Sequence, residues 1–324
     1  MRPIQPLRTY EHIKLLSDPR RMAILRLLMD APATLTQLGA ALGQTPAWVR
    51  HHIKTLEAAG LVEIVAVRAN GIVTEKFYGA RAGALLLQDL ILPQTNTPTV
   101  VFSGSHDLAL EHIAAALAPR LRLLSLTVGS LDGLVNLRQG LCHVAGAHLL
   151  GPGGAYNVSF IQHLFPDRLL RVMTLAHRTQ GLIVAAGNPK GITSLFDLAR
   201  EDVTFLNRNP GSGTRLWLER QLAQVGLPTA AIRGYERTVS THSESAQAIL
   251  QGKADAALGI QAAAHAHRLD FIPLFEERYD LAAPGEQTAL LAPLFDFLQS
   301  AAARQMISAL AGYDAAHSGE VVAY

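Results

Sequence analysis

Three segments of the chain place glycine and hydroxyl residues directly before a helical pattern, at 103–107, 129–133 and 207–215. Free amide groups at a helix start, with the positive end of the helix dipole, attract anions, and Ser and Thr hydroxyls add uncharged donors. No Gly-Lys-Ser or Gly-Lys-Thr motif follows these segments, so a nucleotide loop of the Walker type is excluded. Helix capping usually explains one such segment, whereas three together favour an anion pocket.

The elements that would position these segments are short apolar runs separated by helical stretches. The runs lie at 99–102, 123–128, 143–147, 181–185, 203–206 and 256–260. Runs of this kind are typical of parallel strands buried on both faces, whose ligands bind beyond the carboxyl ends of the strands. Beyond Pro284 the leucines return to helical spacing, which predicts a closing helix pair without chemistry of its own.

Composition limits the class of protein. The chain has 324 residues, 49% hydrophobic and 17% charged, which predicts about two to three globular domains and excludes a disordered chain. A single cysteine, Cys142, excludes a disulfide framework and a Cys-rich metal site. We find no apolar core of a signal peptide and no apolar run of about 18 residues, so we expect a cytoplasmic protein without a membrane partner.

Charge and proline content divide the chain into two domains. Residues 1–92 hold 11 Lys and Arg against 7 Asp and Glu, whereas residues 93–324 hold 17 against 19. The segment 93–98 has the composition of a short linker. We therefore predict a DNA-binding domain over 1–92 and a ligand-binding domain over 99–324, because a basic first part favours a polyanionic partner.

Three helical patterns in the first domain are followed by a predicted hairpin. The helices begin after Asp18, near Leu35 and at Thr45-Pro46, and the strands 62–67 and 72–78 meet at a turn at Asn70-Gly71. On the third helix, Val49, Ile53 and Leu56 share one face. The opposite face carries cations, a histidine and small residues, with no carboxylate, and the candidate DNA-binding residues are Thr45, Ala47, Trp48, Arg50, His51, Lys54, Arg68 and Lys76.

The histidines of this helix do not form a metal site. His51 and His52 are adjacent, so they point about 100° apart and cannot chelate one ion. We expect His51 to face DNA and His52 to be partly buried. A solvated cationic face on an ordinary helical bundle is the alternative interpretation of the helix.

The segments 16–21, 25–28 and 49–62 resemble, in order, the ArsR-type winged helix-turn-helix regulators. Members of that family that sense thiophilic metals carry a Cys-containing motif on the helix before the recognition helix. This chain has Thr36-Gln37-Leu38-Gly39 there, so metal sensing at that position is not expected. The resemblance implies double-stranded operator DNA as a partner.

The segment 82–92 is too apolar for an isolated surface helix. Packing against the same helix of a second subunit would cover it, and this interpretation predicts a homodimer. Packing on its own winged helix is the alternative.

The segments 103–107, 146–149, 178–189, 207–215, 252–260 and 279–281 resemble the type II periplasmic-binding-protein fold. They are similar to the version that is fused to helix-turn-helix domains and related to molybdate-binding proteins. The resemblance implies a fold of the α/β class with an N-terminal winged helix and a two-lobed effector domain. It also implies a molybdate or tungstate ion between the lobes, held by hydroxyls and backbone amides, and two crossings between lobes near 179–187 and 254–260.

The candidate oxyanion-binding residues carry donors at or near the cleft: Ser103, Ser105, His106, Ser130, Tyr156, Arg178, Arg208, Ser212, Gly213, Thr214, Arg215 and His242. Arg208 and Arg215 either neutralise the anion or pair with carboxylates. Arg178 either clamps the ligand or fixes the geometry between the lobes. Histidines such as His148 either reach the cleft or are structural.

These observations predict a regulator that responds to an oxyanion, with no enzyme activity and no cofactor. One alternative keeps DNA binding but takes a small organic effector, as in LysR-type regulators, which have a differently patterned first domain. The other is an enzyme on the same fold. The sequence contains no nucleophile elbow, no His-Glu-x-x-His motif and no dinucleotide glycine signature.

Overall fold

The computed structural model describes residues 4–7, 9–70, 73–87, 90–285 and 288–323. The chain divides into two compact units, Met1–Ile91 and Leu92–Tyr324. This boundary lies beside the proline-containing segment 93–98. No helix in the described ranges is long and apolar enough to cross a lipid bilayer.

The first unit contains four helices and two pairs of strands in its described part. In chain order the elements are β1 (Ile4–Leu7), α1 (Tyr10–Leu16), α2 (Pro19–Asp30), α3 (Leu35–Leu42), α4 (Pro46–Ala58), β2 (Val62–Asn70), β3 (Val73–Ala80) and β4 (Ala84–Leu87). Asp18, Thr34 and Thr45 cap α2, α3 and α4 through their side-chain oxygens. Strands β2 and β3 form an antiparallel hairpin. Helices α2 to α4 and this hairpin form a winged helix, and Gly71 of the predicted turn lies outside the described residues.

The predicted helix over 82–92 is wrong. Residues 84–87 form β4, which pairs in parallel with β1. Ala82 is buried and Leu85 packs on the core of the first unit, whereas Leu86, Leu87 and Ile91 are exposed. A continuous apolar run does not by itself distinguish a helix from a strand, and here pairing with β1 decides between them.

The second unit is built around one curved sheet. In chain order its elements are β5 (Thr99–Gly104), α5 (Leu108–Leu117), β6 (Arg122–Thr127), α6 (Ser130–Gln139), β7 (Val144–Ala147), α7 (Val158–Leu164), β8 (Leu170–Val184), β9 (Phe205–Arg208), α8 (Gly213–Gln224), β10 (Thr238–Val239), α9 (His242–Leu250), β11 (Ala256–Ile260), α10 (Gln261–Ala266), β12 (Asp270–Pro284), α11 (Thr288–Leu298), α12 (Ala301–Ser308) and β13 (Tyr313–Asp314). The strand order is β10-β9-β11-β8-β12-β7-β5-β6, and β13 also pairs with β8.

Two long antiparallel strands, β8 and β12, divide this unit into two lobes. Lobe 1 contains β5 to β7 with α5 to α7, and lobe 2 contains β9 to β11 with α8 to α10. The first part of β8 pairs with the last part of β12, which also pairs with β7, whereas the last part of β8 pairs with the first part of β12 and with β11. Each of the two strands therefore runs through both lobes.

The sheet differs from the prediction in two respects. Pairs within each lobe are parallel, such as β5 with β7 and β9 with β11, but the central pair is antiparallel. The second crossing is β12 and not the segment 254–260, because β11 pairs with β9 and with the far half of β8, within lobe 2. Charged residues interrupt β12, so its sequence lacks a continuous apolar run.

The closing helices α11 and α12 pack on lobe 1. Leu291, Phe295 and Ile307 share a buried cluster with Phe102 and Ile113. The apolar face that the leucine spacing predicts is therefore buried.

Candidate functional site

Four helix N-termini converge where the two lobes meet. They belong to α5 and α6 in lobe 1 and to α8 and α9 in lobe 2. Side chains cap α5, α8 and α9, whereas Gly129 at the start of α6 provides no side-chain cap. The start of α6 therefore presents amides that no capping side chain satisfies, beside the glycine and hydroxyl residues of the loops.

A chain of hydrogen bonds joins two serines and a histidine of lobe 1. The Oγ atoms of Ser105 and Ser130 lie 3.0 Å apart, and Nε2 of His148 lies 3.0 Å from Ser105 Oγ. The His148 backbone N–H donates to Ser130 Oγ at 3.2 Å. All three side chains are buried. The structure thus brings Ser105 and Ser130 together, as the loop positions predicted.

Arg178 binds two buried carboxylates at the centre of the site. Its Nη1 donates to Asp107 at 2.5 Å and its Nε to Glu277 at 2.6 Å. The other oxygen of Glu277 lies 2.6 Å from Nδ1 of His148. Burial alone would raise the pKa of Glu277, but its contacts with His148 and with the charged Arg178 outweigh burial and lower that pKa to about 2. Arg178 therefore fixes the geometry of these groups, one of the two roles expected for it.

Arg208 is the second fully buried arginine, and its surroundings are different. Its Nη1 lies 2.6 Å from Nδ1 of His242, its Nη2 donates to the Ser240 carbonyl at 2.7 Å, and its Nε has no hydrogen-bond partner within the described ranges. None of the described carboxylates lies within 4 Å of it. Burial, reinforced by Arg178, lowers the pKa of Arg208 to about 10. A buried guanidinium without a paired carboxylate is expensive unless an anion neutralises it.

Lobe 2 closes on this cluster through the start of α8. Thr214 Oγ1 accepts a hydrogen bond from Gln180 Nε2 at 3.0 Å. A Cβ added to Gly213 would lie 2.5 Å from His148 Nδ1, and one added to Gly129 would lie 2.5 Å from the Gly211 carbonyl. The two lobes thus meet through glycine backbone, in a closed arrangement.

The remaining predicted residues lie around this centre. Ser103 is buried and accepts from Asn136, whereas Ser212 caps α8. His106 bonds to Glu111, and its ring centroid lies 6.3 Å from that of His242. A cavity of about 280 Å³ between α5 and β6 reaches the cluster at His106.

Two of the residues predicted to bind the anion make other contacts. The Arg215 guanidinium bonds to Glu219 and stacks over Tyr235, so it pairs with a carboxylate, the second of its two expected roles. The Tyr156 hydroxyl donates to the Glu276 carbonyl at 3.1 Å, at the rim. Arg215 Nη1 also donates to the Arg208 carbonyl at 3.4 Å, but in the described ranges neither side chain bonds to Ser105, to Ser130 or to the Arg208 guanidinium.

Sequence reasoning missed Glu277 and Gln180. Gln180 bridges Glu277 and Thr214, and Tyr279 stacks on His148 while its hydroxyl donates to the Ser105 carbonyl. The available signal was the charged segment 276–280, which stands between the apolar residues 271–275 and 281–284. A carboxylate inside a buried strand needs a partner and indicates a functional or structural cluster.

The candidate DNA-binding face lies on α4. Val49, Ile53 and Leu56 are buried, as predicted, whereas the opposite face is exposed at Thr45, Ala47, Arg50, His51, Lys54 and Ala58. His52 is buried and packs edge-on against Trp48. The face is not free of carboxylates, however, because exposed Glu57 lies seven residues after Arg50 on the same side.

The hairpin adds two cations to this unit. Arg68 and Lys76 are exposed on β2 and β3, and the Arg68 guanidinium lies over the Phe77 ring. Such a hairpin beside a helix-turn-helix is the layout of a wing.

A family model described as a PBP superfamily domain matches residues 111–299, more than half of the chain. The chain belongs to the PBP superfamily. A second model, described as a helix-turn-helix domain, matches residues 16–65. The first unit is accordingly an ArsR-type helix-turn-helix domain and the second a PBP-like domain.

This PBP-superfamily chain is similar in sequence to a Bacillus subtilis protein and, in fold, to solved structures of transport and binding proteins. It is 34% identical over 229 residues to the uncharacterized protein YvgK of Bacillus subtilis, a match that covers 69% of this chain and 74% of YvgK. The tungstate transporter structure from Geobacter sulfurreducens is 14% identical, with a TM-score of 0.47, over 65% of this chain and 98% of that one. The sulfate-binding protein SubI of Mycobacterium tuberculosis is 14% identical, with a TM-score of 0.48, over 68% and 86%.

Proposed function

We propose that this chain is a DNA-binding transcriptional regulator whose PBP-like domain captures a small oxyanion between its lobes. The first candidates are molybdate and tungstate, which the resemblance to molybdate-binding proteins suggests. The regulator would act in the cytoplasm on a double-stranded operator, as a homodimer. One observation carries the anion part of the proposal: Arg208 is fully buried and has no paired carboxylate among the described residues.

The buried carboxylates of the site do not contradict an anion. Asp107 and Glu277 would repel one if their charges were free. Both bind Arg178, however, and Arg208 lies beyond 4 Å of either. The guanidinium without a direct carboxylate contact is therefore on the side of α9 and β9, where His242 and Ser240 hold Arg208.

The donors around Arg208 favour a compact ion. The hydroxyls of Ser105 and Ser130 and the uncapped start of α6 offer donors without charge. Gly129 and Gly213 bring the two lobes so close that even one added Cβ would overlap backbone atoms. A tetrahedral ion fits such a place better than an extended organic effector.

The DNA part of the proposal is supported by the first unit. Arg50, His51 and Lys54 form an exposed face on α4, and Arg68 and Lys76 extend it along the wing. Cations on the second helix of a helix-turn-helix can reach phosphates and base edges. Capture of the ion alters DNA affinity only if the DNA-bound and free forms of the protein bind the ion differently.

Two measurements on the full chain test the proposal. Molybdate, tungstate and sulfate should raise the melting temperature, since a ligand at about 100 times its Kd stabilises by about 2.7 kcal/mol, whereas succinate, an organic dianion, should not. A duplex selected from a randomised pool should then change its affinity by about fivefold or more when the effective ion is added. Stabilisation by succinate alone would favour the organic effector, and no stabilisation by any ion would refute the oxyanion.

Ester hydrolysis is a second candidate, favoured by one observation. Ser105 contacts His148, and His148 contacts Glu277, so the contacts run from serine to histidine to acid as in a catalytic triad. Nδ1 of His148, however, lies 2.6 Å from Glu277 outside the alignment of a hydrogen bond, so the acid acts on the ring through its charge and not through the directed hydrogen bond of a triad. Hydrolysis of p-nitrophenyl acetate by the full chain that is lost in Ser105→Ala would support the hydrolase, and equal background rates would exclude it for this ester.

A further inference from the structure

We infer that the site takes up one proton with each oxyanion, and that His148 receives it. This inference rests on the oxyanion function proposed above and adds a residue that determines when the site can bind. It follows from the positions of charges and hydrogen-bond donors in the buried cluster.

The charges of the cluster already balance before an ion arrives. Arg178 and Arg208 contribute two positive charges, and Asp107 and Glu277 contribute two negative charges, all on side chains buried to nine-tenths or more. A dianion added to neutral histidines would therefore leave the buried cluster with a net charge of about −2, which a water-excluded site disfavours. A proton taken up with the ion reduces that excess.

The hydrogen-bond chain shows what the proton would change. A carboxylate oxygen 2.6 Å from Nδ1 of His148 places the single proton of a neutral ring on Nδ1, because two lone pairs would repel at that distance. Nε2 is then an acceptor, and Ser105 donates its hydroxyl proton to it at 3.0 Å. In that state Ser105 cannot donate to an anion.

Protonation of His148 reverses this chain. Nε2 then donates to Ser105 Oγ, so the Ser105 hydroxyl proton is released to point at the ion. The Ser130 hydroxyl lies 3.0 Å from Ser105 Oγ, which now accepts from His148 and does not need Ser130 as a donor. The Ser130 hydroxyl proton is therefore also available to the ion. One proton on His148 thus converts two serines into donors for an ion that can only accept.

The other two histidines of the cluster, His242 and His106, are less suited to accept the proton. His242 accepts a hydrogen bond from Arg208, which can only donate, so a proton on His242 would place two cations in contact. His106 lies on the α5 side and bonds to exposed Glu111, away from the serines. Only His148 combines a carboxylate contact with a bond to Ser105.

The groups that face His148 come from every element packed on it. Glu277 and Tyr279 lie on β12, Ser105 follows β5, and Gly213 begins α8. Burial lowers the pKa of His148. The positive charges of Arg178 and Arg208 lower it further, whereas the negative charge of Glu277 raises it. The ring is therefore neutral without the ion, and a dianion nearby raises its pKa.

Calorimetric titration of the full chain with sulfate and with molybdate tests the inference. Neither ion changes its own protonation between about pH 6.5 and about pH 8.5, so any uptake belongs to the protein. Titrations in two buffers of different ionisation enthalpy should give about one proton taken up per ion, and Kd should rise about tenfold per pH unit. Binding with no proton uptake in wild type would overturn the inference and leave the oxyanion function standing.

Two variants assign the proton to a residue. His148→Gln keeps a donor toward Ser105 but cannot titrate, so it should bind with no uptake and with a Kd independent of pH. His163→Gln, which replaces an exposed histidine on α7, should keep the uptake. Uptake retained in His148→Gln or lost in His163→Gln would overturn the assignment, with the melting temperature of each ion-free variant as the folding control. Absence of binding in wild type at every pH would instead refute the proposed function.

Discussion

Arg178 and Arg208 are the same residue type, are equally buried and have opposite surroundings. Arg178 binds Asp107 and Glu277, whereas Arg208 binds only neutral groups. A buried charge that has lost its partner costs several kcal/mol, and a buried charge with a partner costs little net. Arg178 is therefore part of the framework, and the proposed function gives Arg208 the role of binding the ion.

Arg178→Met should therefore destabilise the protein in the absence of any ion. Two buried carboxylates would lose their common partner, which costs about 3–5 kcal/mol. Urea unfolding of the full chain measures this loss. The surface variant Arg120→Met should stay within about 0.5 kcal/mol of wild type, and an equally small effect of Arg178→Met would contradict the assignment.

Glu277 should make stability depend on pH in the acid range. Its pKa is lowered from 4.5 to about 2 in the folded protein, so its contribution is complete above the unfolded value and is lost as the pH falls toward 2. Glu277→Gln keeps hydrogen bonds but has no charge. The difference in unfolding free energy between wild type and Glu277→Gln should shrink over this interval, and a constant difference would show that Glu277 is not ionised in the fold.

At the scale of elements, two long strands decide where the site lies. β8 carries Arg178 and Gln180, and β12 carries Glu277 and Tyr279. These four residues therefore lie on the two strands that both lobes share. The helices contribute their starts, and their glycines let the lobes approach. The two lobes thus close against each other through backbone atoms of their loops.

Gly129→Ala should weaken oxyanion binding by opposing this closure. The added methyl would lie 2.5 Å from the Gly211 carbonyl, and backbone cannot yield as a flexible side chain can. We expect Kd to rise about tenfold or more, measured by calorimetry, which corresponds to about 1.4 kcal/mol. Gly285→Ala is the matched control, since nothing described lies within 4 Å of its added Cβ, and equal Kd values for the two variants would contradict closure at Gly129.

Periodic and loop-bounded features could be predicted from the sequence, and features that depend on distant pairing could not. The buried face of α4 and the strand 256–260 follow from local pattern. β4 forms by pairing with β1, which lies about eighty residues earlier in the chain. β12 contains charged residues such as Glu277, whose buried position is explained by its contact with Arg178. The serines of the site were predicted from their loops, but Glu277 was not, because its partners come from two distant segments, the loop at His148 and the strand β8.

At the scale of the whole molecule, the two units carry different chemistry on one chain. The first offers exposed cations on α4 and the wing, and the second holds a buried cation among neutral donors. The ArsR-type and PBP-like domains each account for one of these features. The proposed regulator needs both.

Arg50→Ala together with Lys54→Ala should weaken DNA binding without changing anion binding. Each lost phosphate contact lowers the salt dependence of affinity by about one unit of slope, and a lost base contact costs about 1–3 kcal/mol. Fluorescence anisotropy with a selected duplex at several salt concentrations measures both. Arg120→Ala, an exposed cation of the second unit, is the control, and unchanged DNA affinity in the double variant would refute the role of α4.

The most direct test of the central claim is calorimetric titration with molybdate of wild type, Arg208→Met and Arg208→Lys. We expect one ion per chain in wild type, no detectable binding in Arg208→Met, and weakened binding in Arg208→Lys, which keeps the charge but not the planar group. Arg208→Met should also unfold no more easily than wild type without the ion, because it removes a buried charge that lacks a paired carboxylate. Equal molybdate affinity in wild type and Arg208→Met would contradict the account.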